Sequence, residues 1–155
     1  MASRFSAGIL MYRFRGGVAE VLIVHPGGPF WARKDLGAWS IPKGEFLPGD
    51  GPLETAKREF REETGSDVSG DFIQLVPVLQ TGGKLVHAFA VEGDFDPATL
   101  VSNTFEMEWP PRSGRMKELP EVDRAEWCDF ATAREKLNAA QATLIDQLEQ
   151  LIRIR

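Results

Sequence analysis

A chain of 155 residues is the length of one ordinary domain and too short for two independent cores. Its 43% hydrophobic and 26% charged residues suit a globular protein and exclude disorder, collagen-like or coiled-coil bias. Eighteen Lys and Arg against 23 Asp and Glu leave a net charge of −5, which argues against an extensive nucleic-acid surface built on bulk positive charge. The longest apolar runs, at 7–12 and 21–24, fall well short of the roughly 18 residues of a membrane span. The first residues lack a secretory apolar core and cleavage site, so a single cytoplasmic domain over residues 1–155 is expected, with no membrane partner. One cysteine, Cys128, permits no internal disulfide and no multi-cysteine zinc site.

The predicted elements begin with a β-hairpin: an apolar stretch at 5–14, the turn Arg15-Gly16-Gly17, and a β-branched run at 18–24. A long Gly/Pro-rich loop from His25 carries Phe30, Trp31, Arg33 and Lys34, and reaches a short apolar piece at 39–41. It reads as a ligand wall. Good helix formers fill 53–64, with Pro52 suited to the first turn and Gly65 to the stop. Strands are predicted at 72–80, 84–91 and 104–109, a loop from Pro110 to about Pro120, and a short strand at 125–128. Helical patterns at 131–137 and 139–154 close the chain, the latter with Leu144, Leu148 and Leu151 on one stripe. Strands on both sides of a central helix suggest a layered α/β domain with a mixed sheet.

In the central helix Glu59, Glu62 and Glu63 stand at i, i+3 and i+4, which puts three carboxylates beside the apolar stripe of Leu53, Ala56 and Phe60. Like charges at that spacing repel, and a packed cluster of them wants a divalent cation. Mg2+, a hard ion that takes oxygen ligands and bridges to substrate phosphates, suits it. Taken alone, three helical glutamates more often form a solvated face paired with Lys57, Arg58 and Arg61. The flanking residues change that balance. Residues 44–66 read GEFLPGDGPLETAKREFREETGS, which resembles the Nudix box, G-x5-E-x7-R-E-U-x-E-E-x-G-U with U aliphatic. Gly44, Arg58, Glu59, Phe60, Glu62, Glu63 and Gly65 fall on it in register. Asp50 replaces the first glutamate of the pattern and Ser66 its last aliphatic residue.

The resemblance implies a Nudix fold, an α/β/α sandwich with a mixed sheet and the catalytic loop and helix at its edge. It also implies hydrolysis of a nucleoside diphosphate linked to another moiety, with Mg2+ as cofactor, or Mn2+ in its place. By matched position Glu59 and Glu63 are the main metal ligands, Glu62 shares in the site, the Lys43 backbone carbonyl adds an oxygen, and Arg58 orients the helix carboxylates. The entry Trp39-Ser40-Ile41-Pro42-Lys43-Gly44 is similar to that of enzymes acting on dinucleoside polyphosphates such as diadenosine tetraphosphate, which makes these the favoured substrates. A nucleoside triphosphate pyrophosphatase, of the damaged-nucleotide or RNA 5′-end type, is the alternative. A non-catalytic nucleotide sensor on the same fold is a more remote one. Family members draw a further acid from a later loop. Glu121, six residues before Trp127, is chosen for it over Glu106, Glu108, Glu118, Asp123 and Glu126, because the spacing resembles that in diadenosine polyphosphate hydrolases. It is assigned as a ligand or as a general base.

For the small-molecule nucleotide itself, Lys43, Lys84, Arg33 and Lys34 are candidate phosphate contacts, and Phe30 and Trp31 candidate stacking partners for a base. His25 and His87 have no second ligand at metal spacing and read as structural.

Overall fold

The computed structural model describes residues 4–154. Strands β1 (Phe5–Arg15) and β2 (Val18–Pro26) form the expected hairpin. They are followed by β3 (Lys43–Phe46), helix α1 (Pro52–Thr64), the two-residue strands β4 (Ile73–Gln74) and β5 (Val78–Leu79), and β6 (Leu85–Glu92). A 3-10 turn at Pro97–Thr99 leads to β7 (Thr104–Glu108), β8 (Met116–Pro120), β9 (Val122–Asp129), α2 (Phe130–Lys136) and α3 (Ala142–Ile154). The main sheet runs β4-β6-β1-β2-β9, with β1 and β6 parallel and the other pairs antiparallel. It is mixed, as expected. Among the described residues no helix is long and apolar enough to cross a membrane.

The apolar run at 7–12 is continuous because both faces of β1 are covered. Ile9 and Met11 pack with Ala56 and Phe60 of α1, whereas Leu10 and Tyr12 pack with Leu137 and with Leu144, Ile145 and Leu148 of α3. The free edge of β1 is shared. Its second half pairs with β2, over Tyr12 to Arg15, and its first half with β3, over Phe5 to Gly8. Between them the chain enters β3 through Ser40 and Ile41, bridged to Val24 of β2. Fully buried Gln141 braces that entry: its Oε1 accepts from Ile41 N–H at 2.9 Å, and its Nε2 donates to Ser40 Oγ at 3.0 Å and to Gln80 Oε1 at 2.8 Å.

Three expectations are corrected. The strand at 72–80 is two short pieces, because Pro77 offers no N–H and Gln147 of α3 takes both backbone groups of Val76, at 2.8 and 2.9 Å. The loop expected to run to Pro120 is shorter, since Met116–Pro120 pairs with β7 as a separate two-stranded sheet. Glu108 closes its tip by accepting from Arg112 and Gly114 N–H at 2.9 and 3.2 Å. The strand placed at 125–128 spans Val122–Asp129.

Gln141→Leu keeps volume but strands the Ile41 N–H, so it should lower unfolding free energy by about 1–3 kcal/mol. Urea denaturation measures this, and an unchanged midpoint would rule out the bracing role.

Candidate metal centre

Helix α1 starts at Pro52, where a missing N–H costs nothing, and stops at Gly65, which takes φ 81° and donates to Arg61 O. Ahead of it Asp50 closes a tight turn: its N–H donates to Leu47 O at 2.9 Å and its Oδ2 accepts from Leu47 N–H at 3.0 Å. The residue that departs from the box is thus a self-contained turn closure. Ser66 donates its N–H to Thr64 Oγ1 at 3.2 Å, just past the helix.

The final carbonyls of a helix need partners from elsewhere. Here Glu62 O accepts from Asn103 N–H at 2.7 Å and Thr64 O from Val101 N–H at 3.0 Å. Asn103 O in turn accepts from Glu121 N–H at 2.9 Å, and Glu121 O accepts from Gly27 N–H at 2.9 Å. Segment 101–103 therefore stitches the end of α1 to Glu121, between β8 and β9, without any loop folding over the site.

The result is that Glu59, Glu63 and Glu121 each direct a carboxylate oxygen into one group whose atoms lie within 4.8 Å of one another, all three residues half-buried. Glu59 reaches in across Gly44: a Cβ at that position would fall inside the Glu59 carboxylate. Glu62 is not in this group. Arg58 lies between the helix acids, Nη2 3.5 Å from Glu59 and Nε 3.8 Å from Glu62. A cavity of about 160 Å³ opens beside the cluster, lined by Glu63, Glu121, Lys43, Ser40 and Ile41 and by Val24, Pro26 and Val122.

Electrostatics mark this group as short of positive charge. Burial, with Glu59 second, pushes the Glu63 carboxyl up to about 8, although Lys43 and its backbone N–H act the other way. Burial and the charge of Glu62 also raise Glu59 and Glu121. Burial lowers the Lys43 ammonium, with Lys84 adding to the effect and Glu63 opposing it. Three crowded carboxylates in a partly dry crevice form the donor set of a hard divalent cation, which fits Mg2+ or Mn2+.

The remaining predicted contacts lie apart from this crevice. Lys84 donates to Glu45 of β3, next to Gly44. Lys34 sits over the Phe30 ring at 3.6 Å and 5.1 Å from that of Trp31, and Arg33 is exposed beside it. None of these four loop residues lines the cavity.

A model of the NUDIX domain matches residues 2–148. The chain belongs to the NUDIX family. An octanoyltransferase of Myxococcus xanthus is 30% identical over 85% of this chain but only 32% of its own length. An RNA pyrophosphohydrolase of Erythrobacter litoralis is 46% identical over 43 residues, 28% of this chain and 25% of the relative. This Nudix chain thus spans about a third or less of the curated relatives it matches. Among solved structures, a C. elegans Ap4A hydrolase binary complex superposes with a TM-score of 0.67 at 18% identity, over 97% of this chain and 99% of that one. At that identity the likeness establishes the Nudix fold.

Raising the Glu63 carboxyl has a consequence for the metal-free protein. The native state prefers the protonated acid, so the stability this provides is complete below the ordinary carboxyl value of 4.5 and is lost as pH rises through about 8. In EDTA, Glu63→Gln should therefore be more stable than the parent at pH near 9 and should flatten the decline. Added Mg2+ should stabilise the parent and not the variant. Equal denaturation midpoints across the pH range would contradict the electrostatic account.

Proposed function

We propose that this Nudix domain is a metal-dependent pyrophosphohydrolase acting on a nucleoside diphosphate linked to another moiety, with dinucleoside polyphosphates the favoured class. The observation that carries the reading is the convergence of Glu59, Glu63 and Glu121 beside Lys43 at the mouth of a small cavity. Residues with no phosphate to handle have little reason to hold three acids against burial and mutual repulsion.

When bound there, a divalent ion neutralises phosphate charge and acidifies water. Glu59 and Glu63 would hold it from the helix, Glu121 from the opposite side, and the Lys43 carbonyl from β3. Glu121 is also placed to accept a proton from the attacking water, the role of general base. Arg58 keeps Glu59 and Glu62 in fixed rotamers, and Glu62 adds negative charge at the rim. The Lys43 ammonium, on the cavity wall, would meet phosphate oxygens that the acids repel, with Lys84 as a further contact. The nucleoside would be received on the aromatic loop, with its base against Phe30 or Trp31 and a phosphate against Lys34 or Arg33.

This division of roles predicts that diadenosine tetraphosphate is cut asymmetrically to ATP and AMP in Mg2+, because one nucleotide is held while water attacks a fixed phosphorus. Product chromatography reads it. Release of pyrophosphate from nucleoside triphosphates alone would instead favour the triphosphate reading, and tight nucleotide binding with no turnover would favour a sensor.

Glu121→Gln should lower kcat by roughly 10² to 10⁴ with little change in KM. Glu118→Gln, on exposed β8, should be nearly silent. The reverse pattern would remove Glu121 from the chemistry.

A further inference from the structure

His25 is fully buried, with each ring nitrogen engaged: Nδ1 lies 2.8 Å from Asp123 Oδ1 and Nε2 lies 2.7 Å from the Lys34 carbonyl oxygen. A carbonyl only accepts, so Nε2 carries a proton. Nδ1 and Asp123 Oδ1 share the second hydrogen bond.

The two bonds join distant parts of the chain. Asp123 lies on β9 two residues after Glu121, whereas Lys34 lies in the middle of loop 27–38. The ends of that loop are held independently, by Gly27 N–H on Glu121 O at 2.9 Å and by Gly37 N–H on Glu135 O at 3.0 Å. His25 holds its centre, where the Lys34 ammonium covers the Phe30 ring. We infer that His25 is a positioning residue: it clamps the aromatic loop to the strand whose start carries Glu121, and so fixes where a nucleoside sits relative to the acidic cluster. The inference rests on the reading of loop 27–38 as the nucleoside-receiving wall.

Three substitutions separate a clamp from ordinary core packing. His25→Phe fills the space and donates to neither partner. His25→Asn keeps a polar atom beside Asp123 and cannot reach Lys34. His25→Gln offers an amide N–H at the Nε2 position and keeps the Lys34 bond. Trypsin cleavage on either side of Lys34 should rise by about 10- to 100-fold in the Phe and Asn variants, as local opening of the loop becomes cheaper. Their KM for diadenosine tetraphosphate should rise in step, while kcat and stabilisation by Mg2+ stay unchanged. The Gln variant should stay near the parent in each readout. A Phe variant with parental cleavage and KM, or a Gln variant as impaired as Phe, would overturn the inference. If the parent cuts no dinucleoside polyphosphate, the substrate reading fails, and the cleavage results still decide whether the clamp exists.

Discussion

Repulsion among three half-buried carboxylates is the constraint around which this domain is arranged. Left in water, Glu59, Glu63 and Glu121 would separate. In the folded chain their oxygens stay within 4.8 Å of one another, and the cost, burial first and the charge of neighbouring glutamates second, appears as the upward displacement of all three acids, led by Glu63 at about 8. Stability lost at one place must be supplied by the scaffold. The two packed faces of the sheet do so, with Phe60 and Ala56 burying one side of α1 while its acidic side is turned to the crevice.

The scaffold acts through backbone more than through side chains. Gly44 lets the Glu59 carboxylate approach β3 closer than any Cβ would allow. Segment 101–103 satisfies carbonyls that the end of α1 leaves open, and passes the connection to Glu121. Gly27 then ties Glu121 to β2, again by main chain, with Pro120 O lying where a Cβ on Gly27 would be. Substitutions along this path should act on the acids without touching them, because each link sets the distance between the helix and the start of β9. The crevice follows from the same arrangement: β2 and β3 share one edge of β1, and the cavity lies where the chain passes between them.

Helix α1, its stop at Gly65 and the first hairpin were legible in the sequence because their signals are local: spacing, turn residues and periodicity. The pairing of the second acid group was not. Glu121 was singled out by its distance from Trp127, yet it reaches the cluster through hydrogen bonds to Asn103 and Gly27, contacts that no local pattern encodes. The same holds for His25, whose partner Asp123 is 98 residues away. Strand β8 was hidden by the Pro- and Gly-rich residues before it, and the 72–80 stretch by a β-rich composition whose backbone groups are claimed by Gln147. The loop residues Phe30, Trp31, Arg33 and Lys34 form a cluster of their own beyond the cavity, and a distance between two such places is set by tertiary structure alone.

We propose that Glu59, Glu63 and Glu121 form one divalent-metal site spanning a helix and a strand junction. Mn2+ titration followed by electron paramagnetic resonance tests it directly, since it counts free ion without requiring a substrate. Binding should be saturable, should weaken by at least about tenfold on neutralising either Glu63 or Glu121, and should be unaffected by neutralising exposed Glu118. Saturable binding that is indifferent to Glu121, or no binding that depends on Glu63, would contradict it.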